Sequence, residues 1–212
     1  MADRFDITSL ADELEPVRPI RTAEGLALVA AAVIAAAALI TAALGLRQDL
    51  MDMAPHPMFF LRAGTLLLLG SAATLATIRM ARPAVGRAGD GWLWALGAAA
   101  LFPLTALVMM AFEPMGQVAA EIRGDGMECL RMSMIPGLFV GTALVLWLRR
   151  GAPTALERAG WLTGIASGTL GALAYSLHCP FDSLYYIGLW YTLAVGLSAV
   201  AGRLIVPRLI RW

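Results

Sequence analysis

Two cysteines and two histidines are the side chains in this 212-residue sequence best suited to soft-ligand or nucleophilic chemistry: His56, Cys129, His178 and Cys179. Two thiols can lock as a structural disulfide, cycle between dithiol and disulfide, or bind a soft metal as thiolates. His178 adjoins Cys179, and a charged imidazole beside a thiol favours the thiolate. Cys129, Cys179 and His178 are also the metal candidates, but their spacing matches no compact metal motif. A metal site would depend wholly on folding. Structural bridge, reversible switch and transient soft-metal site all stay open on the residues alone, and no resident cofactor is expected.

Other chemistry is poorly represented. The sequence holds no CxxC, no HExxH and no Gly-rich phosphate loop. No ionisable residue sits at the centre of an apolar stretch, where a proton or ion relay needs one. An enzyme is therefore not expected.

The elements that must position the thiols are apolar. Hydrophobic residues make up 59% of the chain, and mean hydropathy is +0.74. That is too apolar for a soluble domain of this size. Six stretches, each about as long as a bilayer is thick, divide the sequence: 25–46, 58–78, 92–112, 130–148, 160–177 and 184–206. A backbone crossing lipid must satisfy its own hydrogen bonds, so each is expected as a helix. The fold class is an all-α membrane protein: a six-helix transmembrane domain over 25–212 behind a tail over 1–24. The first stretch is longer than the apolar core of a cleavable signal peptide and lies behind an acidic segment.

All sixteen basic residues are arginine, and they are sorted. Twelve fall in the N-terminal tail, the second and fourth connections and the C-terminal end; Arg47 and Arg123 fall in the other connections. Arginine-rich short loops stay in the cytoplasm. Both termini are then cytoplasmic in a multi-pass protein of a bacterial inner membrane, and all four thiols and imidazoles map to the opposite side. Trp92, Trp94, Trp147, Trp161 and Trp212 map to the cytoplasmic interface, a depth that suits amphipathic rings. Arg62 and Arg131 lie inside stretches near their outer ends. Each either snorkels to the outer interface or pairs with Glu113, Glu128 or Asp182.

Small residues recur four apart at Gly160, Gly164, Gly168 and Ala172, and again at Gly137 and Gly141. Such rows let helices approach closely, within one chain or across a homodimer face. The tail reads differently. Ile7, Leu10, Leu14 and Val17 recur at helical spacing among Asp3, Asp6, Asp12, Glu13 and Glu15. Ser9 and Asp12 fit a capping box, and Pro16 and Pro19 end any helix. This is either a solvated tail or a segment that orders on the groove of a basic partner, with Leu10 and Leu14 as anchors.

The residues around the cysteines also carry a resemblance. Glu128-Cys129-Leu130 leads into a stretch with Pro136, and His178-Cys179-Pro180-Phe181-Asp182-Ser183 is followed by Leu189-Trp190-Tyr191-Thr192. With six stretches, an acidic tail and an arginine-rich C-terminal end, the chain resembles, over nearly its full length, the NrsF family, described as negative regulators of the extracytoplasmic-function sigma factor SigF. The resemblance implies an inner-membrane anti-sigma factor. Its cytoplasmic tail holds the sigma factor, and two periplasmic cysteines, here Cys129 and Cys179, respond to heavy-metal or oxidative stress. His178, Asp182 and Arg131 are the candidate supporting residues. The implied partners are a sigma factor and the lipid bilayer, with no direct nucleic-acid contact; the sequence singles out no oligomeric state. The competing readings are a membrane thiol oxidoreductase passing electrons to a quinone and an accessory subunit of a transporter.

Overall fold

The computed structural model describes residues 20–82 and 126–211 together with scattered positions between 97 and 116. The tail anchors Ile7, Leu10, Leu14 and Val17, most of the stretch 92–112, and Trp92, Trp94, Glu113, Arg123 and Trp212 lie outside the described residues. Among the described residues every regular element is helical: α1 (Thr22–Leu44), the single turn α2 (Gln48–Met51), α3 (Pro57–Met80), α4 (Gly126–Arg149), α5 (Leu156–Ser176) and α6 (Leu184–Leu209). The long helices lie over five of the six apolar stretches, with ends a few residues away from those expected.

α1, α3, α4 and α6 are long and apolar enough to cross a membrane. Their outward faces carry Ile34, Leu68, Leu138 and Leu204, each more than half exposed. A surface this rich in exposed apolar side chains suits lipid rather than water. α5 is different. Fifteen of its 21 residues are buried, and it packs against α6, α4 and α3. Its surroundings are protein, so it does not need the hydropathy of a lipid-facing helix. What it needs is small side chains. A Cβ at Gly202 of α6 would come within 2.5 Å of the Gly160 carbonyl oxygen and 2.7 Å of the Gly164 Cα. On the opposite side of α5, a Cβ at Gly171 would meet Gly137 N and Ser133 O of α4 at 2.6 Å. The glycine rows thus pack α5 between α6 and α4 of the same chain, where backbones touch and dispersion holds them.

Contacts between helix ends set the chain direction. Arg82, just past α3, donates to the Ile20 carbonyl at 2.9 Å and to Thr22 Oγ1 at 3.1 Å, at the start of α1. The Ala152 amide, just past α4, donates to Ala81 O at 3.0 Å. Arg47, just past α1, donates its amide to Leu177 O at 3.0 Å, beyond α5. The bundle therefore has an arginine-rich end, with the start of α1 and the ends of α3 and α4, and a thiol end, with the end of α1 and the starts of α3, α4 and α6. The chain leaves α3 at the first end and enters α4 at the second.

Each end has its own core. Val29, Ile78, Leu144, Trp147, Leu148 and Ile210 belong to the core at the arginine-rich end. Ile40, Leu66, Cys129, Tyr175, Cys179 and Tyr191 belong to the thiol-end core. Trp147 departs from the expectation of an interfacial ring. It is 1% exposed, fills the space left by the absent side chain of Gly25, and donates from Nε1 to Ile78 O at 3.4 Å. The missing Cβ at Gly25 makes the slot, and the interior offers the indole N–H an acceptor. Trp161, by contrast, stays partly exposed, with the Arg203 guanidinium 5.6 Å from its ring.

Replacing Gly164 with Val should lower the thermal unfolding midpoint in detergent, since overpacking a tight contact costs roughly 1–3 kcal/mol. The same change at Gly64, where a Cβ meets open space, should leave the midpoint close to wild type. Equal effects at the two sites would contradict the packing assigned to α5.

Candidate functional site

The thiol end is built around one loop. α5 stops at Ser176, and Pro180 disfavours helical backbone at the residue before it, Cys179. The chain then runs without regular structure to Ser183 before α6 begins. A helix end and a short loop inside an apolar bundle leave carbonyl oxygens without partners, and lipid supplies none. Two arginines supply the donors here.

Arg62, on α3, is fully buried. Its Nη1 donates to Phe181 O at 2.7 Å; its Nη2 donates to Cys179 O at 3.3 Å and Ser176 O at 3.4 Å. Nη2 also lies 3.7 Å from Asp182 Oδ1. Arg47, in the link between α1 and α2, is 6% exposed. It donates from Nη1 to Cys179 O at 3.1 Å and from Nη2 to Asp182 Oδ2 at 2.6 Å. Its Nε bonds Asp49, and this bond holds the Asp49 carboxyl below the usual carboxylate range. The Phe59 ring lies 5.3 Å from the Arg47 guanidinium and 5.9 Å from that of Arg62, and Tyr191 lies 5.4 Å from Arg62. Two cations and two carboxylates balance, with aromatic faces completing the cage.

The thiols meet against this cage. Cys129, in the first turn of α4, is 1% exposed, and Cys179 is fully buried. Both are free thiols, and each lies beside the other in the same buried cluster. Tyr186 lies beside Cys129, and Tyr191 lies beside Cys179. α6 is π-helical over Ile187–Tyr191, and that wider turn brings Tyr186 and Tyr191, five residues apart, toward the same side of the helix. The Cys129 thiol and then the Arg62 cation favour the Cys179 thiolate and outweigh the opposing effect of burial, so the Cys179 pKa is lowered.

The histidines go elsewhere. His178 Nδ1 lies 3.0 Å from Gly45 O, so that nitrogen carries the proton and donates to the carbonyl. The basic neighbour of Cys179 is Arg62 rather than His178. His56 caps α3, its Nδ1 accepting from Met58 N at 3.3 Å and lying 3.8 Å from Asp182 Oδ2. Among the described residues no three His, Cys, Asp or Glu side chains converge as a metal site. Asp182 is central. Arg131 is exposed on α4 and makes no ion pair with a described residue, and Glu128 is exposed. Of the two readings open for Arg62, snorkelling fails and pairing with Asp182 holds, because the loop carbonyls compete successfully with the interface for its N–H groups.

Sequence reasoning missed Arg47 and Asp49. A signal was there: Arg47 breaks the sorting rule, so it needed a local partner, and Asp49 lies two residues on.

Replacing Arg62 with Met should lower the unfolding midpoint sharply, because removing one partner of a buried charge pair costs about 3–5 kcal/mol. Arg131→Met, a surface change, should stay within about 0.5 kcal/mol. A mild effect at Arg62 would mean that its contacts do not hold the loop.

Known proteins are similar along nearly the whole chain. The family model NrsF, described as "Negative regulator of sigma F", matches residues 10–212. The anti-sigma-F factor NrsF of Caulobacter vibrioides is 33% identical over 202 residues, covering 93% of this chain and 92% of its own. A probable anti-sigma-F factor NrsF of Azospira oryzae is 28% identical over 177 residues, 82% of each chain. No solved structure matches. The match to residues 10–212 covers both cysteines, the Asp182 cage and every described helix, and on that extent the chain belongs to the NrsF family, which is regulatory and not enzymatic.

Proposed function

We propose that this chain is an inner-membrane anti-sigma factor. Its cytoplasmic tail, Met1–Glu24, holds an extracytoplasmic-function sigma factor and releases it when the Cys129–Cys179 pair reacts on the periplasmic side. The observation that carries the reading is the meeting of these two thiols in one buried cluster, at the end of the bundle opposite the start of α1. The kinship with named anti-sigma-F factors supports the class of partner. The six-crossing topology is supported by parity. The chain leaves α3 at one end and enters α4 at the other, and the stretch 92–112 lies between them.

The chemistry is simple. Two thiols give two electrons and two protons to the O–O bond of a peroxide. The products are one disulfide, one alcohol and one water; hydrogen peroxide gives two waters. A soft metal cation instead takes both sulfurs as thiolates and releases their protons. Either event changes the spacing between α4 and the Cys179 loop. The output is at the other end. Ile7, Leu10, Leu14 and Val17 form the apolar stripe for a sigma-factor groove, and the acidic residues around them suit a basic surface. Holding the sigma factor there competes with its binding to RNA polymerase. Moving it from mostly bound to mostly free requires a bias of several kcal/mol between two states, which a covalent bond or metal ligation can supply.

Deleting Met1–Glu24 should turn the sigma-dependent promoters on without any stress; repression that survives the deletion would rule out the tail. Replacing both cysteines with serine should abolish induction by peroxide or cadmium at an unchanged membrane level. Unaltered induction would reduce the pair to a structural role.

A further inference from the structure

We infer that Arg47 and Asp182 are positioning residues that strap the thiol loop to the end of α1 and so carry a change at the thiols into the helix that leads to the tail. The inference rests on the switch proposed above and supplies its transmission.

The geometry is local and continuous. Three contacts stitch the end of α1 to the Cys179 loop: the Arg47 amide to Leu177 O at 3.0 Å, His178 Nδ1–H to Gly45 O at 3.0 Å, and the Arg47 guanidinium to Cys179 O at 3.1 Å. The 2.6 Å contact from Arg47 to Asp182 fastens the far side of the same loop. Arg47 thus holds the carbonyl of the cysteine whose sulfur reacts. Arg62 holds the loop to α3, and Arg47 alone of the two belongs to the α1 side.

α1 is also the least buried of the long described helices. Only Gly25, Val29, Ala36 and Ile40 of its 23 residues are buried. Gly45 ends it with φ +86°, a backbone value that favours glycine, and a Cβ there would meet nothing within 4 Å. At the arginine-rich end α1 is pinned. Trp147 fills the space against Gly25, and Arg82 holds Ile20 O and Thr22 Oγ1. A helix pinned at one end and strapped at the other tilts when the strap moves.

The thiol reaction moves the strap. A covalent S–S bond is far shorter than the van der Waals contact of two free thiols, so forming it draws the Cys179 loop toward the first turn of α4. The Cys179 carbonyl and Asp182 travel with that loop, and Arg47 follows both. The outer end of α1 shifts, and the tilt about Trp147 reorients the chain that precedes Ile20.

The test uses cells carrying the full chain and a reporter driven by the sigma-dependent promoter. The oxidant is the diazene diamide, whose N=N bond takes two electrons and two protons from the thiol pair and becomes a hydrazine. Disulfide formation is read separately by gel shift with a maleimide–polyethylene glycol reagent, against the double Cys→Ser chain as background. Arg47→Lys and Asp182→Glu, which keep the charge balance of the cage while loosening the Arg47–Asp182 contact, should both repress the reporter before oxidation and form the disulfide to the wild-type extent. Their induction ratio should nevertheless fall toward one. Wild-type induction in both variants would overturn the strap. So would loss of repression by both before oxidation, because the contacts would then hold the fold rather than carry a signal. If the wild-type disulfide forms without induction, the parent switch fails as well, and that result is distinguishable from a broken strap.

Discussion

The thiol end depends on how the bundle satisfies the backbone of one short loop. Between α5 and α6 the carbonyls of Ser176, Leu177, Cys179 and Phe181 all point at protein rather than water, and Arg47 and Arg62 bond every one of them. Burying two guanidinium groups is costly unless an anion and further acceptors compensate. Asp182 and Asp49 provide the anions, and the loop itself provides the acceptors. The arrangement is therefore mutual. The loop needs the arginines for its carbonyls, the arginines need Asp182 for their charge, and Cys179 is fixed because its carbonyl is shared by both.

That constraint explains why a helix of small residues sits at the centre. α5 must deliver its C-terminal end to the cage while touching α6 on one side and α4 on the other, and only close backbone contact leaves Cys129 of α4 beside Cys179. Gly164, Gly171 and Gly202 make the contact possible. α1 stands apart from this packed centre, with few buried residues and firm contacts at its two ends. The thiols at one end and the segment proposed to bind the partner at the other are thus joined by one lightly packed helix, a division that suits the proposed reporting across a membrane.

Much of this was legible in the sequence because it follows from periodicity and charge. Among the described residues helices lie over five of the six apolar stretches, the glycine rows pack helices, and the two cysteines come to one end. The cage was not legible. Whether Arg62 snorkels or turns inward depends on carbonyls that only a folded loop presents, and those carbonyls leave no mark in residue types. Arg47 shows the same limit: it counted toward the charge asymmetry, while its contact with Cys179 spans 132 residues of separation. Trp147 was misread for a related reason. An indole beside arginines reads as an interfacial ring, and the slot that buries it is made by an absent side chain at Gly25, more than a hundred residues away in sequence.

The measurement that tests the account most directly is co-purification from native membranes with the thiols kept reduced, followed by diamide on the column. The account predicts that a sigma factor is retained by the reduced chain. It also predicts that oxidation elutes it from wild type but not from a chain with Cys129 and Cys179 replaced by serine. Retention of no sigma factor, or equal elution from both chains, would contradict it.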